Sequence, residues 1–310
     1  MPRLRVDTSL PAKLSCYPVN HTGLNPPSNP KTQAVAIIPA RYDSVRLPGK
    51  ALLKIAGKPM ICLVAERALA ARNVARAIVA TDDERISDAV KSAGFEALMT
   101  RGDHASGTDR IAEVAASLSD AEVIVNVQGD EPLISAATIE RAVEAIGGKG
   151  KGEADKKNEK ANVEIGIVTT WEPIETVADI LNPDVVKVVV DERELAIYFS
   201  RLPVPYPRDA VRAHGSIEAA LLAEPALQDS FRKHTGLYVY RRDVLLAFAG
   251  WPQSRLERLE SLEQLRALEH GIRIKAIQAS TSSIGVDTRE DFERVRKLVE
   301  EEAFSFEYKH

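Results

Sequence analysis

Three basic side chains crowd one short loop near the start of the patterned part of the chain. Arg41, Arg46 and Lys50 all fall in residues 39–50, directly after the wholly apolar run 34–38. Arginine and lysine are natural partners for phosphate oxygens, and ligands bind at the carboxyl ends of strands in open α/β sheets. No Walker-type or GxGxxG spacing offers a rival phosphate site. The loop therefore predicts the binding of a triphosphate, with a solvated basic loop as the plainer alternative.

Two adjacent carboxylates follow another apolar run farther along the chain. Asp130 and Glu131 come after residues 123–127 and a Gln-Gly step, so a strand end delivers them through a glycine turn. Mg²⁺ prefers one or two carboxylates together with phosphate oxygens, whereas on the plainer interpretation these residues merely begin a turn. Beside the basic loop, the segment predicts a metal-dependent nucleotidyltransferase.

The elements that must position these groups alternate along the chain. Short apolar runs typical of buried strands occupy residues 34–38 and 77–80, and further strands are predicted at residues 97–99 and 123–127. Helical patterns lie between them, over residues 59–71, from a cap at Asp82 or Asp83 to about Ala93 with Gly94 as the stop, and over 108–118. This alternation predicts a parallel sheet with right-handed crossovers.

The second half of the chain is less regular. Residues 163–170, 185–190 and 272–277 are predicted strands, and residues 210–230 are ambiguous. Leucines that recur every three residues predict one long helix with an apolar stripe; they are Leu256, Leu259, Leu262, Leu265 and Leu268. Either Asp287 or Thr288 is placed to cap the last helix.

Composition sets the outer limits of function. The chain has 310 residues, of which 45% are hydrophobic, with a formal charge of −4 and a pI near 6.0. These values favour a packed globular protein and disfavour general nucleic-acid binding. No apolar run is long enough for a bilayer, and the two cysteines do not form the pattern of a disulfide framework. We expect a soluble, cytoplasmic protein without membrane or nucleic-acid partners.

The chain divides into one main domain and less patterned segments. Residues 1–33 are rich in Pro, Ser, Thr and Asn, and are predicted to form a disordered extension. Residues 34–300 form the predicted catalytic domain, with a Lys- and Gly-rich stretch at 147–162 that predicts an exposed insertion. Residues 301–310 are a short tail.

Five blocks of sequence, spread in order from about Val35 to Arg296, carry a family resemblance. They are Ile38-Pro39-Ala40-Arg41, Arg46-Leu47-Pro48-Gly49-Lys50, Thr100-Arg101 with Asp103-His104 and Ser106-Gly107-Thr108, Val125-Asn126-Val127-Gln128-Gly129-Asp130-Glu131-Pro132, and Gly285-Val286-Asp287-Thr288. In these blocks the chain resembles the 3-deoxy-manno-octulosonate (Kdo) cytidylyltransferases. The resemblance implies an α/β, Rossmann-like fold of the glycosyltransferase-A-like kind. Its mixed, mainly parallel sheet is flanked by helices, with a smaller dimerisation subregion.

The resemblance also implies an activity and a set of site residues. The family transfers CMP from CTP to the anomeric hydroxyl of Kdo, releases pyrophosphate and supplies lipopolysaccharide assembly; it commonly forms homodimers. Its catalytic residues match Lys50, Asp130 and Asp287, of which the two aspartates bind Mg²⁺. CTP is bound by residues that match Arg41, Arg46 and Lys50 at the triphosphate, Ala105, Ser106 and Gly107 at cytosine, and Asp130. The sugar acid is held by residues that match Arg110, Gln128, His234, Tyr238, Glu263 and Gln264.

Three departures from the family pattern concern the acceptor more than the reaction. Val239 stands where the family usually has glycine, Arg258 where it often has histidine, and Tyr206 in place of its tryptophan. None of them removes a charge needed for the chemistry. Two alternatives stay open: transfer to a related sugar acid, such as an 8-amino Kdo analogue or a nonulosonic acid, and a catalytically silent nucleotide-binding protein on the same fold.

Overall fold

The computed structural model describes residues 33–44, 46–147 and 164–307, with side chains as far as Glu301. Apart from their end residues, the predicted disordered extension and exposed insertion lie outside the described residues. Much of the predicted tail is helical, because the last helix continues to Glu307. No helix in the described ranges combines the length and the apolar character needed to cross a bilayer.

Strands and helices alternate through the first half of the described chain, as the apolar runs predict. The strands are β1 (Ala34–Ala40), β2 (Lys54–Ile55), β3 (Lys58–Pro59), β4 (Val74–Thr81), β5 (Glu96–Met99), β6 (Val123–Asn126), β7 (Ile167–Pro173), β8 (Lys187–Val190), β9 (Ala196–Ser200), β10 (Arg232–Arg241) and β11 (Ile274–Gln278). The helices are α1 (Met60–Leu69), α2 (Glu84–Ser92), α3 (Gly107–Ser117), α4 (Ala136–Gly147), α5 (Val177–Leu181), α6 (Arg208–His214), α7 (Ile217–Ala223), α8 (Arg242–Gly250), α9 (Arg255–Glu260), α10 (Gln264–Glu269) and α11 (Arg289–Glu307). Short 3-10 turns occupy Lys50–Leu52 and Pro225–Ser230.

Nine strands of the described chain build one mixed sheet in the order β11-β7-β10-β6-β1-β4-β5, with β8 beside β10 and β9 beside β8. β1 pairs in parallel with β4 and β6, as does β4 with β5, and β11 with β7. β10 runs antiparallel to both of its main neighbours, β6 and β7. The predicted fold class is confirmed. Because β1, β4, β5 and β6 run in one direction, the loops that follow them open on one edge, called here the rim.

Apolar side chains cover both faces of this sheet. Successive strand residues point to opposite faces, so Ile38 packs in the cluster that contains Ile61 of α1, whereas Ile37 packs with Ile111 of α3 and Phe248 of α8. All five side chains are buried. Their burial anchors β1 from both sides and holds its end at the rim.

The last helix docks beside the rim with a defined cap. The Thr288 hydroxyl accepts a hydrogen bond from the Asp291 N–H at 3.1 Å, and the Asp291 carboxylate accepts one from the Thr288 N–H at 2.9 Å. Phe292 is buried with Val286 in one apolar cluster. Of the two predicted caps, Thr288 takes the role, which leaves the carboxylate of Asp287 free for contacts within the rim.

The single long helix predicted from the leucine repeat is wrong. The segment forms two short helices, α9 and α10, and Ser261 between them has a left-handed φ of 52°. A repeat of three residues drifts around a helix that has about 3.6 residues per turn, so Leu259 is 71% exposed while Leu265 is buried. A buried ion pair, Arg266 Nη2 to Glu257 Oε1 at 2.6 Å, joins the two helices.

Candidate active site

The two candidate metal carboxylates meet at one ammonium group. Lys50 Nζ donates to Asp130 Oδ2 at 2.7 Å, to Asp287 Oδ1 at 3.1 Å and to the Val286 carbonyl at 3.1 Å. The Val286 N–H donates in turn to the Asp130 carbonyl at 2.8 Å, which ties the two segments together. Burial alone would lower the pKa of Lys50, but the charges and hydrogen bonds of the two aspartates outweigh it and raise that pKa. The ammonium is therefore charged at neutral pH.

The other two loop cations, Arg46 and Arg41, each make one polar contact of their own. Arg46 Nη2 pairs with Asp287 Oδ2 at 3.0 Å and stays largely exposed. Arg41 Nη2 donates to the backbone carbonyl of His104 at 2.9 Å. The structure thus joins Lys50 to both aspartates and Arg46 to Asp287, and it places Arg41 beside the predicted cytosine segment. Their binding roles remain predictions.

The predicted cytosine segment lies against the end of β1. Ser106 caps α3: its Oγ accepts from the Asp109 N–H at 3.1 Å, and the Asp109 carboxylate accepts from the Ser106 N–H at 3.1 Å. A Cβ on Gly107 would lie 3.5 Å from Cγ of Pro39, and Ala105 is exposed. The segment is thus fixed at the rim, and its contact with cytosine remains a prediction.

The pair that the buried His104 forms with the partly exposed Glu113 was not predicted from the sequence. His104 Nε2 forms a hydrogen bond with Glu113 Oε2, and the same carboxylate accepts from the Arg101 N–H at 3.3 Å. Because Arg41 binds the His104 carbonyl, this pair fixes the group that orients Arg41. His104 belongs to a family-like block, but Glu113 lies on α3 outside it, so only the fold reveals the pairing.

Several predicted acceptor residues gather along β10. The rings of His234 and Tyr238 lie 5.4 Å apart between centroids, although a bulge interrupts the register with β7 within this stretch. Gln128 Nε2 donates to the Gly236 carbonyl at 3.3 Å. Tyr238 pairs with Asn126, the last residue of β6, in antiparallel register. The His234 end of β10 therefore extends toward the rim.

Burial shifts the pKa of two of the predicted acceptor residues, His234 and Glu263. Burial lowers the pKa of His234 to about 3, and its Nε2 lies 2.9 Å from the Thr169 hydroxyl. Burial raises the pKa of Glu263, which accepts a hydrogen bond from Thr108 Oγ1 at 2.6 Å. Gln264 is buried at the start of α10. The region offers hydrogen bonds to an acceptor and does not offer an imidazolium charge.

The side chain of Arg110 makes its polar contacts with Asp82 and Thr100, which are not predicted acceptor residues. Its side chain has no exposed surface; Nη2 pairs with Asp82 Oδ2 at 2.8 Å and Nη1 donates to Thr100 Oγ1 at 2.6 Å. Its Nε is buried without a hydrogen-bond partner among the described residues. The sequence predicted a partner for the sugar-acid carboxylate here. Contact with a ligand would require the pair with Asp82 to open, and the role remains a prediction.

The aspartate pair fits Mg²⁺ in donor type and accessibility. Both residues offer carboxylate oxygens, with side chains 28% exposed for Asp130 and 47% exposed for Asp287. Mg²⁺ is commonly bound by one or two carboxylates, with phosphate oxygens and waters filling the other positions. Within the described ranges, no group of three or more His, Cys, Asp or Glu side chains could hold a metal. A site here would need phosphate oxygens or waters as its remaining ligands.

The chain is similar over most of its length to known proteins. A family model described as cytidylyltransferase matches residues 35–274. The 3-deoxy-manno-octulosonate cytidylyltransferase of Syntrophotalea carbinolica is 49% identical over 260 residues, which are 84% of this chain and 96% of that protein. The enzyme of the same name from Trichlorobacter lovleyi is 47% identical over 272 residues, 87% of this chain and 99% of that protein.

Solved structures agree with this relationship. CMP:2-keto-3-deoxy-manno-octonic acid synthetase complexed with CTP matches with a TM-score of 0.73 and 42% identity, over 87% of this chain and 100% of that one. The 4-diphosphocytidyl-2C-methyl-D-erythritol synthase of Anaerococcus prevotii matches with a TM-score of 0.53 at 11% identity, over 87% of this chain and 96% of that one, which shows a shared fold alone. The sequence identity and coverage shared with these relatives show that the chain belongs to the 3-deoxy-manno-octulosonate cytidylyltransferase family.

Proposed function

We propose that this enzyme transfers CMP from CTP to the anomeric hydroxyl of Kdo and releases pyrophosphate. The observation that carries the proposal is the meeting of Lys50 from the basic loop with Asp130 and Asp287. A triphosphate requires cations, and a sugar acid requires many hydrogen bonds. The rim supplies the cations, and the nearby residues of β10 supply the hydrogen bonds.

The transfer requires positioning and charge neutralisation, without a covalent enzyme intermediate. The Kdo oxygen attacks the α-phosphorus in line, and the bond from that phosphorus to the oxygen of the leaving pyrophosphate breaks. Arg41, Arg46 and Lys50 neutralise the charge that develops on pyrophosphate. The attacking hydroxyl gives up its proton to solvent as the new bond forms.

We infer that Asp130 and Asp287 hold Mg²⁺ when CTP binds. Both carboxylates already face one cation, the ammonium of Lys50, at hydrogen-bond distance. The long, flexible side chain of Lys50 allows that ammonium to turn toward phosphate oxygens. When bound, Mg²⁺ would supply positive charge to the phosphate oxygens and acidify the incoming hydroxyl.

The acceptor region suits a polyhydroxylated sugar. His234 is neutral at neutral pH because its pKa is about 3, and the pKa of Tyr238 is raised by burial. Neutral donors and acceptors of this kind match sugar hydroxyls. The sugar carboxylate needs a cation, and Arg110 would provide one if its pair with Asp82 opened.

We also propose that the enzyme works as a homodimer. Large apolar side chains remain exposed on β9, on the loop after it and on α9: Ile197 is 60%, Leu202 67% and Leu259 71% exposed. The Arg201 N–H donates to Glu260 at 3.0 Å, which joins these elements. Exposed apolar patches commonly mark protein interfaces. The enzyme would act in the cytoplasm, where CMP-Kdo supplies lipopolysaccharide assembly.

A panel of nucleotides and acceptors tests the proposed reaction. Pyrophosphate release is measured with CTP, UTP or ATP, each combined with Kdo, 8-amino-Kdo or a nonulosonic acid, in the presence of Mg²⁺. We expect the fastest release with CTP and Kdo, with CMP-Kdo identified by mass spectrometry. Faster turnover of another sugar acid would replace Kdo as the acceptor. Stabilisation by CTP and Mg²⁺ against heat, with no pyrophosphate from any acceptor, would favour a silent nucleotide-binding protein.

A further inference from the structure

An aromatic ring lies inside the loop that carries the three cations. Tyr42 is half-buried and directly follows Arg41. Its backbone carbonyl accepts hydrogen bonds from the Ser44 N–H at 3.0 Å and from the Gly49 N–H at 2.9 Å. The loop therefore closes on Tyr42, and Lys50 follows immediately after the point of closure.

A neighbouring helix supplies a cation to this ring. The guanidinium carbon of Arg85, on α2, lies 3.3 Å from the centroid of the Tyr42 ring. Asp83 holds that guanidinium through two contacts, from Nε at 3.0 Å and from Nη2 at 2.6 Å, and it also caps α2. The contacts with Asp83 thus fix the orientation of the planar guanidinium against the Tyr42 ring.

The Tyr42 ring also packs against Gly49, a position that only glycine occupies without strain. Gly49 has a φ of 67°, a left-handed conformation that favours glycine. A Cβ at this position would lie 3.2 Å from Cζ and 3.3 Å from the hydroxyl oxygen of Tyr42. The ring therefore sits between Arg85 and the backbone that leads into Lys50.

We propose that Tyr42 and Arg85 are positioning residues for the triphosphate of CTP. Their stack connects α2, which packs on the sheet, to the loop between Arg41 and Lys50, and so holds the cations of that loop in place before the nucleotide arrives. A preorganised loop loses less conformational freedom on binding, which increases affinity. The inference rests on the proposed function, since it assigns the loop to CTP, and neither side chain needs to touch the nucleotide.

Calorimetric binding of inorganic pyrophosphate, CMP and CTP, each with Mg²⁺, tests this role. We expect Tyr42→Leu and Arg85→Gln each to weaken pyrophosphate and CTP binding by about fivefold to tenfold, the range of one cation–π contact. The double variant is expected to be no weaker than either single one, because both remove the same contact. CMP, which lacks the β- and γ-phosphates, keeps its affinity, and Tyr42→Phe, which retains the ring, binds all three ligands as the wild type does.

Arg76→Gln serves as the matched control, because it removes an arginine from another surface ion pair, with Glu96 at 2.8 Å. Arg76 lies near the start of β4, whereas Arg85 follows the end of that strand. Unchanged pyrophosphate affinity in both Tyr42→Leu and Arg85→Gln would overturn the inference. So would an equal loss of CMP and pyrophosphate binding accompanied by a lower melting temperature, which indicates a general folding defect. Arg85 is exposed, so its variant is expected to fold even where Tyr42→Leu does not. If the wild type itself binds neither CTP nor pyrophosphate, the proposed function fails and not only this role of Tyr42.

Discussion

Substitution of Lys50 by methionine measures how much the shared ammonium stabilises the fold. The variant leaves Asp130 and Asp287 without a cation between them, although Arg46 still pairs with Asp287 on the exposed side. Both carboxylate oxygens lie within 3.1 Å of Nζ. They are therefore at most about 6 Å apart, and two such charges repel by at least about 0.7 kcal/mol in water and about 3 kcal/mol at an effective dielectric constant of about 20. Because both aspartates are partly exposed, we expect the free energy of unfolding to fall by about 2 kcal/mol.

Urea denaturation near neutral pH, in EDTA and then in Mg²⁺, measures this loss. The matched control Lys58→Met breaks an exposed pair with Glu66, at 2.8 Å, and is expected to cost less than about 1 kcal/mol. Mg²⁺ is expected to recover most of the loss in Lys50→Met, because a divalent cation between the carboxylates replaces the missing charge, and to leave the control unchanged. Two results would refute the reasoning: a Lys50→Met variant as stable as the wild type, or one that Mg²⁺ stabilises no more than the control.

Three further variants test separate parts of the structure. The folded pKa of His234 is about 3, below its ordinary 6.5, so the stability it contributes is complete above about pH 6.5 and falls by up to about 1.4 kcal/mol per pH unit below it. Urea midpoints from pH 7 to pH 5 are expected to fall less steeply in His234→Gln, and parallel curves would contradict this. Glu257→Gln leaves the guanidinium of Arg266 buried without its counter-charge and is expected to lower the free energy of unfolding by about 3 kcal/mol in urea, whereas a loss below about 1 kcal/mol would show that the pair matters little. Gly236→Ala puts a Cβ 3.1 Å from Cγ of Gln128 and is expected to raise KM for Kdo severalfold at constant KM for CTP; equal effects on both substrates would argue against an acceptor role for Gln128.

The fold was predictable where local pattern and tertiary burial coincide. Residues 34–38 are wholly apolar, and residues 123–127 are apolar except for Asn126, because the strands they form are covered on both faces. The runs alone therefore predict buried strands. The leucine repeat led to a wrong prediction because its local pattern does not coincide with burial. Its spacing of three residues has no constant relation to one helix face, and the ion pair of Arg266 with Glu257 that joins the two short helices carries no local signal.

The candidate site was predictable in its residues but not in their pairing. The basic loop follows the end of β1 and Asp130 follows the end of β6, as the sequence motifs predict. Asp287 and Thr288 were equivalent as caps until the contact between Thr288 and Asp291 separated them. The burial of Arg110 beneath Asp82 likewise depends on packing between α3 and the end of β4, which residue spacing does not encode.

The most direct test of the metal centre is turnover by the Asp130→Ala variant at saturating CTP and Kdo in Mg²⁺. We predict that pyrophosphate release falls to the rate of an enzyme-free control, because one of the two carboxylates assigned to Mg²⁺ is lost. CTP binding, measured by calorimetry, is predicted to survive largely intact, since Arg41, Arg46 and Lys50 remain. Pyrophosphate release comparable to that of the wild type would contradict the assignment of Asp130 to the reaction.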